Sequence, residues 1–203
     1  MRKPKVRELG EAIRAVIRGP ITTRFPFEPH VPEPAFRGKP EFHADDCIGC
    51  AACAEVCPAR CITVTDRVEA SPPVRRLELR YDNCIFCGHC ELNCSTQLGI
   101  RLGKEYDLAC FDRTTCIEAV EKELALCEIC GSVVAPSDQL AFLADRLGAK
   151  AYGHPTMILA AAQRLGLTWP DGNGGGEVVR EDVMSITCVG CRRTILMREA
   201  WGE

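Results

Sequence analysis

Val6, Leu9, Ile13, Val16 and Ile17 recur at steps of one, three and four residues, which predicts an amphipathic helix over residues 4–18, closed by Gly19-Pro20. That periodicity then stops. Pro20, Pro26, Pro29, Pro32, Pro34 and Pro40 crowd residues 20–43 and predict an extended strap that no autonomous core requires. Alternation with a period of two follows: Ile62–Val64 and Arg76–Tyr81 read as strands, with Asp66–Val74 and its Pro72-Pro73 as the surface loop between them. Short helices are expected to start near Ala51 and Gly88. Further along, a helical period covers about Arg113–Leu126, Ser137–Leu147 and Pro155–Leu165. In the first of these Ile117, Val120 and Leu124 would face inward. Asp171–Gly176 reads as a glycine-rich loop. These patterns divide the chain into 1–43 (helix and docking strap), 44–110 and 111–203 (a helical extension).

Charge refines this division. The first 24 residues hold seven basic side chains against Glu8 and Glu11, a net of +5, so the first helix suits a membrane surface or a partner's groove as well as packing on its own domain. Glu105–Asp145 is the opposite, nine acidic residues against Arg113 and Lys122. Over all 203 residues the net charge is −3, which argues against general nucleic-acid binding, where a positive field supplies most of the affinity. No apolar stretch approaches the roughly 18–20 residues that span a bilayer. The basic start, Met-Arg-Lys-Pro-Lys, is followed by no apolar segment of the secretory type.

Cysteine is the outlier. There are fifteen, an odd number, and twelve stand in runs stepped by two or three residues. An exported disulfide framework fits this badly, whereas closely stepped thiols grip one metal centre together because a shared cation favours the thiolates. The first run is Cys47, Cys50, Cys53 and Cys57, followed by Pro58. The second is Cys84, Cys87, Cys90 and Cys94, followed by Ser95 where proline is usual. Both are spaced x2, x2, x3, the bacterial ferredoxin run, in which the fourth cysteine ligates the other cluster. The expected shells for two 4Fe-4S clusters are therefore Cys47, Cys50, Cys53 with Cys94, and Cys84, Cys87, Cys90 with Cys57. Paired zinc knuckles do not explain a triplet plus one. Gly49 and Gly88 would let backbone N–H groups approach the sulfurs, and Ile48, Ile85 and Phe86 would shield them from water. As an internal repeat, the two halves predict a pseudo-two-fold βαββαβ architecture of α+β class.

A third set, Cys127-x2-Cys130 and Cys188-x2-Cys191, suits a tetrahedral site for zinc or a rubredoxin-like iron, with two helices inserted in the 57-residue gap. Cys61, Cys110 and Cys116 lack partners and read as small buried hydrophobes. His30, His43, His89 and His154 form no ligand group; His89, between Cys87 and Cys90, could tune a potential or simply be exposed. No nucleophile–base pair, phosphate loop or dinucleotide fingerprint is apparent, so the expected role is non-catalytic, with cofactors carrying the chemistry.

The order of the basic helix, Pro20-Ile21-Thr22, Phe25-Pro26-Phe27-Glu28-Pro29, Phe36-Arg37-Gly38-Lys39-Pro40 and the two runs resembles the ferredoxin-like iron–sulfur subunit shared by respiratory complex I and group 4 membrane-bound NiFe hydrogenases. Cys84-Ile85-Phe86-Cys87-Gly88, Lys104-Glu105-Tyr106-Asp107-Leu108-Ala109 and the late C-x2-C pairs are similar to the formate hydrogenlyase and hydrogenase-4 branch. The resemblance covers residues 1–110 best. It implies a relay on the cytoplasmic side of the cell membrane, peripheral to membrane-arm subunits. Electrons would enter from another iron–sulfur protein, such as that of a formate dehydrogenase module, and leave towards the hydrogenase small and large subunits. The equivalent subunit of a complex I-type NADH/quinone oxidoreductase is the alternative.

Overall fold

The computed structural model describes residues 5–167 and 180–201. The chain divides into two compact units, Met1–Phe36 and Arg37–Glu203. In the first, helix α1 (Val6–Arg18) is capped by the Lys5 N–H donating to the Glu8 carboxylate at 3.1 Å. It ends where Gly19 adopts φ +73°, its N–H returning to the Ala15 carbonyl. None of its residues is buried, and Val6, Val16 and Ile17 are each at least 79% exposed. The proline-rich residues that follow form turns tied by an Arg24–Glu28 ion pair.

The second unit begins with strand β1 (Pro40–Phe42), drawn from the end of the proline-rich stretch. There follow helix α2 (Ala52–Glu55), strands β2 (Ile62–Arg67) and β3 (Val74–Arg80), helix α3 (His89–Leu92) and strand β4 (Ile100–Leu102). The order is β-α-β-β-α-β, the two halves running through equivalent elements. β1 pairs antiparallel with β4, and β2 with β3, so the outer strands of the repeat meet as do the inner ones. The strands leave a shorter loop than Asp66–Val74, because Asp66, Arg67 and Val74 are themselves paired. Arg75 grips Asp66 across the hairpin through two bonds of 2.7 and 2.9 Å.

Residues 117–126 are not helical. Ile117–Leu126 is strand β5, and Val133–Pro136 is strand β6; together they extend the sheet to the order β2-β3-β5-β6. A four-residue step joins Val120 to Leu124 on one face of either a helix or a strand, so that pair could not decide between them. Ile117 separates the cases: in the strand it lies on the opposite face and is only half-buried, whereas Val120 and Leu124 are buried. Cross-strand partners tip the balance towards strand. Glu121 stands opposite Arg76 and takes its guanidinium at 3.1 Å, while Glu118 accepts the Phe42 N–H at 2.7 Å and the Tyr81 hydroxyl. The C-terminal extension therefore starts as sheet. It continues with helices α4 (Ser137–Leu147), α5 (Pro155–Arg164) and α6 (Val189–Trp201). The glycine-rich segment Asp171–Gly176 lies outside the described residues.

Leu77 and Leu79 occupy one face of β3 and are wholly buried. Leu77 packs with Cys47 and Val120, and Leu79 with Cys53, Cys61, Ile62 and Ile100. Leu77→Ala is expected to destabilise the chain by about 2–5 kcal/mol, seen as a lower thermal unfolding midpoint. The Asp66 carboxyl is held below its ordinary value by its bonds to Arg75. A depressed carboxyl stabilises the fold above its unfolded pKa, so the Asp66 contribution should vanish as pH falls through the native value. The loss of acid stability in wild type should be shallower in Asp66→Asn, read by denaturant titration across pH 2–5.

Candidate iron–sulfur and metal centres

Two clefts flank the strands, of about 310 and 350 Å3. Into the first open Cys47, Cys50, Cys53 and Cys94, and into the second Cys84, Cys87, Cys90 and Cys57, together with Cys61. All of these thiols are free of disulfides. The two short helices make the exchange. Cys53 lies within α2 and faces the first cleft, while Cys57, just past its end, faces the second. Cys90 lies within α3 and faces the second cleft, while Cys94 faces the first. Each helix spans about 6 Å along its axis.

The apolar linings obey the same symmetry. β1–β4 contributes the cross-strand pair Phe42 and Ile100 to the first cleft, and Pro40 and Leu102 to the second. β3 gives Leu77 to the first and Leu79 to the second. Four convergent thiols in an apolar cleft fit an iron–sulfur cubane, since thiolates are its ligands. Burial pushes Cys53 up to about 12 and Cys90 up to about 11, and raises Cys47. A bound cationic centre reverses that penalty by taking the thiolate.

Ile48 and Phe86 are half-buried against the clefts, but Ile85, expected to shield its cleft, is 61% exposed because its side chain lies on the outer rim. Gly49 serves a purpose beyond cluster approach. At φ +67° a β-carbon there would sit 3.0 Å from Lys122 Cβ and 3.1 Å from Pro136 Cγ, so glycine lets β5 and β6 close over the first run. His89 is exposed at the rim of the second cleft.

Cys61 is buried as expected, with its sulfur 3.3 Å from that of Cys57. Cys110, by contrast, is exposed and Cys116 only half-buried, because both belong to the surface turn before β5 rather than to a helix. Sequence reading missed Arg37, whose guanidinium donates to the Cys87 carbonyl at 3.2 Å, and Thr96, whose hydroxyl lies 3.4 Å from Cys94 Sγ. The signal for Thr96 was present: Ser95-Thr96 follows the second run where Pro58-Ala59 follows the first.

Cys127, Cys130, Cys188 and Cys191 converge with all four sulfurs within 4.8 Å of one another. The first pair forms the tip of the β5–β6 hairpin. Gly131 at φ +68° donates to the Cys127 carbonyl, and Cys127 donates to Ser132. The second pair opens α6, and the Glu128 N–H to Ile186 carbonyl bond joins the two at 2.9 Å. Cys188 is lowered to about 6, chiefly because the Cys191 backbone N–H donates to its sulfur, whereas burial pushes Cys191 up to about 12. Arg192 fastens α6 to α5 through the Thr156 hydroxyl and also donates to the Thr187 hydroxyl just before α6. A closed set of four thiols fits a tetrahedral metal ion.

Residues 46–98 match the model of the 4Fe-4S dicluster domain, which supports two 4Fe-4S clusters. NADH-quinone oxidoreductase subunit I 2 of Geobacter metallireducens is 31% identical over 127 residues, 60% of this chain and 96% of that protein. Formate hydrogenlyase subunit 6 of Escherichia coli K12 is 34% identical over 129 residues, 63% and 70% of the two chains. The chain belongs to this iron–sulfur subunit family. Within it, the NAD(P)H-quinone oxidoreductase subunit I of Gloeobacter violaceus is 35% identical over 101 residues, and the chain spans about half (47%) of that relative's length. Each of these relatives is named as one subunit of a larger enzyme. No helix among the described residues is long and apolar enough to cross a membrane.

If the third thiol set holds its own ion, Cys127→Ser and Cys191→Ser should each lose about one metal equivalent. Acid-labile sulfide should stay at the wild-type level, because the two expected cubane shells use other thiols; elemental analysis beside a sulfide assay reads both quantities.

Proposed function

We propose that the chain is an electron-transfer subunit relaying electrons between a soluble donor module and the NiFe hydrogenase module of a membrane-bound complex. The observation that carries this reading is the pair of four-thiol clefts exchanging one cysteine each across two one-turn helices. The proposed ligands are Cys47, Cys50, Cys53 and Cys94 for one 4Fe-4S cluster, and Cys84, Cys87, Cys90 and Cys57 for the other. When bound, the clusters supply one-electron redox chemistry. The polypeptide holds the thiolates, excludes water with Phe42, Ile100, Leu77 and Leu79, and keeps the two centres on opposite ends of shared helices.

The donor in this reading is another iron–sulfur protein, such as that of a formate dehydrogenase module, and the acceptors are the hydrogenase small and large subunits. The 34% identity to formate hydrogenlyase subunit 6 supports this branch. Cys127, Cys130, Cys188 and Cys191 would hold zinc or a rubredoxin-like iron that locks α6 to the β5–β6 hairpin. The exposed apolar face of α1, among basic side chains, would lie on the cytoplasmic side of the membrane beside membrane-arm subunits. A second reading, the equivalent subunit of a complex I-type NADH/quinone oxidoreductase, is favoured by the match that covers 96% of the Geobacter protein. Co-purification from native membranes, with identification of the bound subunits, tests the two: a nickel-containing large subunit supports the first and its replacement by NADH-oxidising subunits supports the second.

Cys94→Ala should empty the cleft of Cys47, Cys50 and Cys53 while the other cluster persists. Anaerobic iron and sulfide analysis should fall by half, and the interaction between the two reduced-state EPR signals should disappear. A full complement of both clusters in this variant would overturn the crossed assignment.

A further inference from the structure

The two clefts are copies of one motif, so the places where the halves differ are where the two centres are made unequal. The fourth cysteine of the first run is followed by Pro58-Ala59, and that of the second by Ser95-Thr96. Ser95 Oγ lies 3.4 Å from Cys50 Sγ, and Thr96 Oγ1 lies 3.4 Å from Cys94 Sγ. Both sulfurs belong to the first cleft.

The direction of these bonds follows from chemistry. An iron-bound cysteine sulfur carries no proton, so in each pair the hydroxyl donates. For Thr96 the local structure leaves no other role, since Oγ1 already accepts the N–H groups of Gly99 at 3.0 Å and Leu98 at 3.4 Å. Its own proton is therefore directed at Cys94. In the second cleft Pro58 and Ala59 have no hydroxyl, and the side chain beside a ligand sulfur is Cys61, whose S–H is a weaker donor, 3.3 Å from Cys57 Sγ.

Cations do not cancel this difference. Arg75 donates to the Gly49 carbonyl beside the first cleft at 3.3 Å and Arg37 donates to the Cys87 carbonyl beside the second at 3.2 Å. Each cleft thus has one guanidinium on a backbone carbonyl of its run. The Arg75 charge is offset by Asp66, and Arg37 is exposed to water, which screens it.

We propose that the Ser95 and Thr96 hydroxyls tune the cluster held by Cys47, Cys50, Cys53 and Cys94 to a higher reduction potential than its partner, so that the first cleft is the electron-accepting end of the relay. This rests on the cluster reading above. Two O–H dipoles aimed at cluster sulfurs stabilise the added negative charge of the reduced state, and such hydrogen bonds are among the levers that set these potentials. Ser95 and Thr96 are positioning and tuning residues; neither is a ligand.

The test is an EPR-monitored redox titration of the anaerobically isolated full-length chain and of Ser95→Ala, Thr96→Val, Ser95→Pro and Ser95→Thr, each with iron and acid-labile sulfide measured. Two potentials are expected in wild type. The higher should fall in Ser95→Ala, Ser95→Pro and Thr96→Val while the lower stays fixed, and Ser95→Thr, which keeps the hydroxyl, should retain the wild-type values. Unchanged potentials in variants with full cluster content, or a shift confined to the lower one, would overturn the proposal. Should Thr96→Val shed iron through its lost turn, the exposed Ser95 position still decides the matter. Wild-type protein without labile sulfide would instead overturn the cluster reading itself, and this inference with it.

Discussion

Leu77 and Leu79, two residues apart on one buried face of β3, form the floor on which both clefts stand. A strand sends alternate side chains to one side at about 6.6–6.8 Å per pair of residues, so one strand supplies one leucine to each cleft. With Phe42–Ile100 and Pro40–Leu102 closing from β1 and β4, eight thiols, two buried and six half-buried, are gathered in two adjoining groups. Burial raises the thiols Cys47, Cys53 and Cys90, so at these three positions the free thiolate is disfavoured. A cationic iron centre relieves the penalty, which couples cluster binding to the stability of this half of the molecule.

The same sheet explains how the third thiol set is placed. β5 joins β3 through seven register pairs, and its hairpin partner β6 follows directly after the Cys127–Cys130 tip. At Gly49 the first cysteine run and the β5–β6 hairpin meet with no room for a side chain. The four-thiol group is therefore built on an extension of the cluster-bearing sheet, with α6 brought to it by Cys188 and Cys191. A metal there would fasten a long insertion whose helices α4 and α5 otherwise rest on modest apolar contacts through Leu140, Ala144 and Leu159.

The repeat is symmetric in its scaffold and asymmetric in its electrostatics. Cross-strand pairs, leucines and helices correspond between halves, but hydroxyl donors crowd the first cleft and a spare thiol sits in the second. A relay between two identical sites would have no preferred direction; small unequal hydrogen-bond fields on otherwise equal sites create one. Ser95, an apparent departure from the motif, becomes intelligible in these terms.

The thiol spacings, the short helices after them, the amphipathic α1 and the α4 and α5 helices were legible in the sequence. Each depends on side chains within a few residues of one another, and local periodicity and ligand spacing record such relations directly. The residues 117–126 were not legible as strand, because Val120 and Leu124 satisfy both periods and the deciding partners, Arg76, Tyr81 and Phe42, lie 37–76 positions from the glutamates they meet. For the same reason no local pattern could tell that Gly49 faces β5, that Cys110 remains exposed, or that the Ser95 hydroxyl meets Cys50, 45 positions away. Residue types and their spacing specified which atoms could grip metal and which segments had a strong local preference. The tertiary fold decided which sulfurs, strands and donors meet, since those contacts are selected by burial and pairing between distant segments.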